Sequence, residues 1–310
     1  MAGLVLCEPT ELYNILNQFN KCSRLAELNY LCLLDARTKS EYNESHIITA
    51  KRVLQNENGE YLCPTSVELE SLKYCVVYDG NSDTLGKGTP AIDCARILEQ
   101  RSRHPIRILK GGYEKFSACY YFFRTKKILW MPKEIEDFQP YPAEIIPGLL
   151  YMGNFRQACD PQIQKDLKIQ AHVSVSEEPA TFFSTESGRL YYIPLPDCTE
   201  FDLLFYLPAI CNFIGEPLLQ LLISAYENSG SYLVSGLAVL VCSRFGISRS
   251  SSVVMAYFMY QYRWTLQAAW MHVQKCRNNM RPNRGFVKQL SDWEMQIHRV
   301  AITDISDPNY

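Results

Sequence analysis

The sequence predicts an α/β protein of two domains, each built on a largely parallel sheet, and three observations carry that expectation. A chain of 310 residues is long for one domain. Short, continuous apolar runs alternate with segments of helical period, the pattern of strands covered on both faces by helices. Between residues 131 and 143 that pattern stops, where Pro132, Pro140 and Pro142 surround an acidic cluster and no apolar period survives.

In chain order, Glu11–Gln18 has helical spacing and Tyr30–Asp35 is an apolar run of buried-strand type. Val76–Tyr78 and Ile106–Leu109 are two more such runs, with a helical segment Ala91–Arg101 between them. This first domain spans 1–130. The linker, 131–143, is expected to be extended by its prolines and to lay Trp130, Phe138 and Tyr141 along a domain surface. The second domain, 144–300, opens on a strand, turn and strand over 144–153. A helix over Pro161–Leu167 follows, with Pro in its first position. His172–Ser176 reads as an alternating strand and Leu190–Pro194 as another. Residues 237–242 are an apolar strand, and Ser251–Tyr260 a mostly apolar, buried helix. Thr265–Lys275 and Val287–Ile297 are helices, and 301–310 a tail.

Composition narrows the function. The net charge of −2 offers no global field for nucleic acid or an anionic membrane, so neither is expected as a partner. Twelve cysteines are scattered without a Cys-x-x-Cys pair or a His at ligand spacing. Buried, reduced thiols are the expectation, with no metal site, no cofactor and no disulfide framework. The N-terminus lacks a charged n-region followed by a long apolar run, and no apolar window is of spanning length. A cytoplasmic protein is expected, with mitochondrial import left open.

The stretch 237–250 is where chemistry concentrates. A strand enters a short loop holding Gly246, and a helix starts directly after it. Backbone N–H groups and a helix dipole at such a junction point at an anion, and Arg249 adds a planar fork suited to phosphate. The candidate phosphate-binding residues are Ser243, Arg244, Phe245, Gly246, Ile247, Ser248, Arg249 and Ser250. A structural alternative is that Arg249 holds the loop together through carbonyl and carboxylate contacts.

Two resemblances attach to these residues. Asp35, Arg37, Glu41, Tyr42, His46, Ile47 and Ala50, with Gly111, Gly112, Tyr113 and Phe116, resemble the rhodanese family over about residues 5–130. Active rhodaneses carry sulfur on a Cys opening the loop after the central strand, and Asp79 stands there. A carboxylate forms no persulfide, so the resemblance implies an inactive rhodanese-like domain. Cys75 is placed before that strand, and Asp35, Arg37 and His46 are read as residues that hold the fold. The domain also looks like the non-catalytic one that precedes MAP-kinase phosphatases and docks kinases through a basic cluster. Lys51-Arg52 falls in that region, but a solvated basic pair is the preferred reading.

Ile145 and Pro147, Leu150-Tyr151, Gly153, the loop Gly246–Ser250 and Arg281-Pro282-Asn283 are similar to dual-specificity phosphatases over about 144–300. The family's nucleophile is a Cys six residues before the Arg, a position that is Ser243 here. The preceding His of the family is Cys242. With Ser for Cys, the chain resembles the STYX group of pseudophosphatases. An alcohol ionises far above physiological pH, so no enzyme is expected. Cys242 as nucleophile is set aside, because it lies one residue too far and strand alternation turns it away. Asp197 fits the general-acid position, with Asp202 the alternative. The span to Ser243 is too long by about one helix, which places an unusual insertion at about 215–235.

The leading expectation is an inactive adaptor that binds phosphorylated signalling proteins, and with them phosphatases or kinases. The second is a phosphate-independent scaffold using the rhodanese-like domain or the insertion. The third is a residual phosphatase or a sulfurtransferase.

Overall fold

The structure is a computed structural model that describes residues 3–64, 68–86, 88–129, 133–136, 138–177, 189–216, 238–307 and 310. It divides into two compact units, Met1–Pro140 and Tyr141–Tyr310.

In the first unit, β1 (Leu4–Cys7), β2 (Leu31–Asp35), β4 (Lys51–Arg52), β5 (Tyr74–Tyr78) and β6 (Ile106–Leu109) form a sheet of order β1-β6-β5-β2-β4. Every pairing in it is parallel. Parallel neighbours need crossovers, and α1 (Pro9–Leu16), α2 (Lys39–Glu44) and α3 (Pro90–Glu99) supply them. The apolar runs of β2 and β5 are buried residue after residue, as strands sandwiched by helices require. Cys75 lies inside β5 and pairs in register with Cys32 of β2, and is not ahead of the strand. A two-residue ribbon joins β3 (His46–Ile47) to β7 (Arg124–Thr125), and α4 (Gly112–Cys119) precedes it.

The linker is more ordered than its prolines suggest. It holds a helical turn, α5 (Lys133–Glu136), whose Glu134 pairs with Lys127 at 2.9 Å. Phe138 packs on Phe123 with ring centroids 6.1 Å apart. Trp130 lies outside the described residues.

The second unit places β8 (Ala143–Ile146), β9 (Leu150–Asn154), β10 (Ile169–Val175), β11 (Arg189–Ile193) and β12 (Ala238–Ser243) in the order β11-β10-β12-β9-β8. Only β8 runs antiparallel, the outcome of the short turn after it. Strand β10 does not alternate: apart from Gln170 it is buried throughout, because it sits between two strands and under helices. Short helices α6 (Phe155–Ala158) and α7 (Pro161–Asp166) lie between β9 and β10, and residues 207–216 form α8. Residues 217–237 lie outside the described structure, and with them nearly all of the expected insertion at 215–235.

Helix α9 (Arg249–Tyr262) is buried around almost its whole circumference, while α10 (Leu266–Cys276) and α11 (Arg284–His298) are amphipathic and flank it. Val253, Val254, Met255 and Phe258 enter one core with Val239 and Val241 of β12. Each such side chain contributes about 1.5–3 kcal/mol by leaving water. Seven cysteines are buried, but Cys22, Cys119 and Cys198 are exposed, so burial does not account for every thiol.

The segment after residue 300 is docked and is not a free tail. Buried Glu294 of α11 accepts from the N–H groups of Leu266, Ile302 and Thr303 and from the Thr303 hydroxyl, at 2.7–2.9 Å. Tyr310 meets the Trp270 ring edge-on at 4.9 Å. Burial pushes the Glu294 carboxyl up, and these four hydrogen bonds outweigh it, leaving the group below its ordinary value. A folded-state pKa below the unfolded one gives stability that is present above about pH 4.3 and lost as pH falls through the folded value. Glu294→Gln should therefore cost about 1.5–3 kcal/mol at pH 7 by urea denaturation. The gap to wild type should shrink as pH is taken below about 4. Limited proteolysis should cut the variant first within 301–307.

Candidate functional site

The candidate site lies at the carboxyl ends of the parallel strands, where open α/β sheets bind their ligands. Strand β12 ends on Ser243, the loop turns through Gly246, and α9 begins at Arg249. The side chain of Ser243 is buried and turned into this loop. Its Oγ donates to Ser250 Oγ and accepts from the Gly246 N–H, both at 3.2 Å. Gly246 has φ +67, and a Cβ there would sit 2.6–2.8 Å from the backbone of Gly153 and Asn154. Only a residue without a side chain lets the loop lie this close to β9.

The loop is anchored from outside. The Ile247 carbonyl accepts from the Ser251 hydroxyl at 2.6 Å and from the Arg281 N–H at 3.1 Å. Ser248 precedes α9 without capping it, because its hydroxyl donates instead to Asp197 Oδ1 at 2.7 Å. The first N–H groups of α9 therefore keep the orphan status of any uncapped helix start. Arg244 and Phe245 are exposed at the rim, the guanidinium 5.5 Å from the ring centroid.

Arg249 is 2% exposed, and its Nη1 donates to the Leu195 carbonyl at 2.6 Å. Its Nε has no hydrogen-bond partner among the described residues. Asp197 Oδ2 stands 3.7 Å from Nε, and Glu177 Oε1 3.8 Å from Nη1. Burial lowers the pKa of this guanidinium, opposed by those two carboxylates. Nη1 thus makes a carbonyl contact of the loop-holding kind, while Nε stays unused among the described residues.

Of the two candidate acids, Asp197 joins the loop, held by Ser248 and by Asn283 Nδ2 at 2.8 Å. Asp202 instead accepts from the Phe205 N–H at 3.0 Å and shapes its own turn. Cys242 is fully buried, and burial pushes its thiol up to about 12, the state of an inert thiol. Glu177 is absent from the residues expected here. Its position just past the end of β10 was the available signal, since β10 neighbours β12 in the sheet.

In the first unit, Asp79 takes the place expected of it at the end of β5. Its carboxylate accepts from Ser82 N–H at 2.9 Å, Ser82 Oγ at 2.6 Å and the Ala91 N–H in the first turn of α3 at 3.2 Å. Two of the loop's donors, the Ser82 N–H and hydroxyl, are thus spent on the loop's own Asp79. The hydrogen bond with Cys32, and then burial, push the Cys75 thiol well above its ordinary value. Arg37 grips buried Asp35 through two nitrogens at 2.7–3.2 Å and lies 3.8 Å over the Tyr113 ring. His46 stacks on Tyr42 at 4.0 Å and meets the carbonyls of Tyr42 and Lys127. Lys51 and Arg52 sit on the edge strand, Lys51 beside a cavity of about 390 Å³ that Glu68 also lines.

The family described as dual specificity phosphatase, catalytic domain, matches residues 150–296, and the rhodanese-like domain matches residues 10–119. Human dual specificity protein phosphatase 16 is 27% identical over 290 residues, covering 86% of this chain and 41% of that protein. Dual specificity protein phosphatase Mpk3 of Drosophila melanogaster is 32% identical over 163 residues, 52% of this chain and 36% of that one. A probable rhodanese domain-containing dual specificity protein phosphatase of Dictyostelium discoideum is 27% identical, over 65% of this chain and 39% of that one. The chain spans less than half the length of these relatives. Among solved structures, the human tyrosine phosphatase-like serine/threonine/tyrosine-interacting protein is 24% identical with a TM-score of 0.43, covering 52% of this chain and 99% of that one. The chain joins a rhodanese-like N-terminal domain to a dual-specificity-phosphatase-like C-terminal domain.

Proposed function

We propose that the C-terminal domain is a pseudophosphatase, and that the chain acts as an adaptor or regulator that binds phosphorylated signalling proteins without hydrolysing them. The observation that carries this reading is Ser243 at the base of the loop, hydrogen-bonded to Ser250 and Gly246, with Arg249 retained at the helix start. Hydrolysis by this kind of loop uses a thiolate aimed at phosphorus. An alcohol needs an adjacent base to act as nucleophile, and among the described contacts Ser243 meets only a hydroxyl and an amide. The family's His is replaced by Cys242, whose thiol stays protonated. Phosphate capture needs N–H donors and a guanidinium, and these remain.

A second reading has one observation in its favour. The bond from Arg249 Nη1 to the Leu195 carbonyl suits a residue that holds the loop in a scaffold indifferent to phosphate. Binding separates the two. Arg249→Ala should weaken a phosphopeptide by at least about tenfold in calorimetry, as loss of a charge-assisted contact implies. Unchanged affinity in a variant that still melts cooperatively would sink the phosphate-binding reading and leave the scaffold.

Catalysis separates the proposal from a residual enzyme. Wild type should release no phosphate from an aryl phosphate, while Ser243→Cys with Cys242→His should give measurable turnover. Wild-type turnover that Cys242→Ala abolishes would establish an enzyme instead.

A further inference from the structure

Resting on the phosphate-binding reading above, we infer that the site selects a phosphorylated residue with a lysine or arginine next to it in the partner chain. The reason is a charge imbalance around Arg249. This one buried cation faces two carboxylates, Asp197 from the loop after β11 and Glu177 from the end of β10. The nearby cation of the loop, Arg244, is exposed at the rim.

Neither carboxylate satisfies Arg249. Separations of 3.7 and 3.8 Å are ion-pair distances too long for hydrogen bonds, and the buried Nε–H stays without a hydrogen-bond partner among the described residues. A buried donor left unused beside the loop can take an acceptor that arrives with a ligand. A phosphate oxygen supplies one.

A dianion arriving there also meets Glu177 and Asp197. Asp197 spends Oδ1 on Ser248 and Asn283, which leaves Oδ2 toward the guanidinium. The Glu177 carboxylate makes no hydrogen bond among the described residues, and its side chain is 54% exposed. Both repel a bare phosphate, and both are acceptors for a cation that enters with it. Because Glu177 stands within 3.8 Å of the guanidinium, the cation must be close to the phosphate. In an extended peptide that limits it to the residues one or two positions away, at about 3.3 Å per residue. A phosphoresidue without such a neighbour gains Arg249 and keeps the repulsion.

The test uses peptides of one length carrying phosphotyrosine, phosphothreonine or phosphoserine, each flanked by Lys, Ala or Glu, with affinities from fluorescence anisotropy on the full chain. Wild type should bind the Lys-flanked peptide about tenfold tighter than the Ala-flanked one, and the Glu-flanked one most weakly. In Glu177→Gln/Asp197→Asn the Ala-flanked peptide should tighten and the order of flanks should collapse. Asp197 also holds the loop, so Glu177→Gln alone, which removes no hydrogen bond among the described residues, should lose part of the preference with the loop intact. Equal affinity for all flanks in wild type, or a preference that survives both variants, overturns the inference while leaving phosphate binding in place. Failure of every phosphopeptide to bind, with Arg249→Ala behaving as wild type, overturns the phosphate-binding reading and this inference together.

Discussion

The geometry of the C-terminal site depends on a buried cation. Arg249 opens α9 at 2% exposure, and a guanidinium in that setting must be given polar partners or be excluded from the fold. The Leu195 carbonyl meets part of that demand, Asp197 and Glu177 balance the charge at ion-pair distance, and together they tie the β12–α9 loop to the ends of β10 and β11. The second tie is Gly246, whose missing Cβ lets the loop rest on Gly153 and Asn154 of β9. A loop fixed on both sides is organised before any ligand arrives.

The same logic shapes the first unit in a different way. Its loop after β5 collects donors from Ser82 and the start of α3, and the Asp79 carboxylate consumes them. One junction keeps a buried Nε–H without a hydrogen-bond partner among the described residues, while at the other a carboxylate of the loop takes an N–H of the following helix. Both sit at the carboxyl end of a parallel strand, so the difference lies in a few side chains and not in the fold.

Much of this architecture is legible in the chain alone. Continuous apolar runs at β2, β5 and β12 identify strands buried on both faces, because helices must cover them. Alternation misled only at β10, where the reading assumed a solvated face that flanking strands and helices remove. The docking of the tail beyond residue 300 was not legible because its partner is Glu294, a charged residue whose burial the sequence does not announce. Proline content likewise hid the helical turn of α5 in the linker.

Residue identity and local period determine most of the strands and helices, Ser243 where the resembled family has a cysteine, and a glycine and an arginine in the loop after β12. Those are properties of neighbours in sequence. Which oxygen Arg249 binds, which of Asp197 and Asp202 reaches the loop, and that Glu177 stands beside it were decided by strand order. The Arg249–Leu195 contact joins residues 54 apart and the Ser248–Asp197 contact residues 51 apart. No local pattern encodes such a pairing, because it exists only once β10, β11 and β12 lie side by side and end at the same edge.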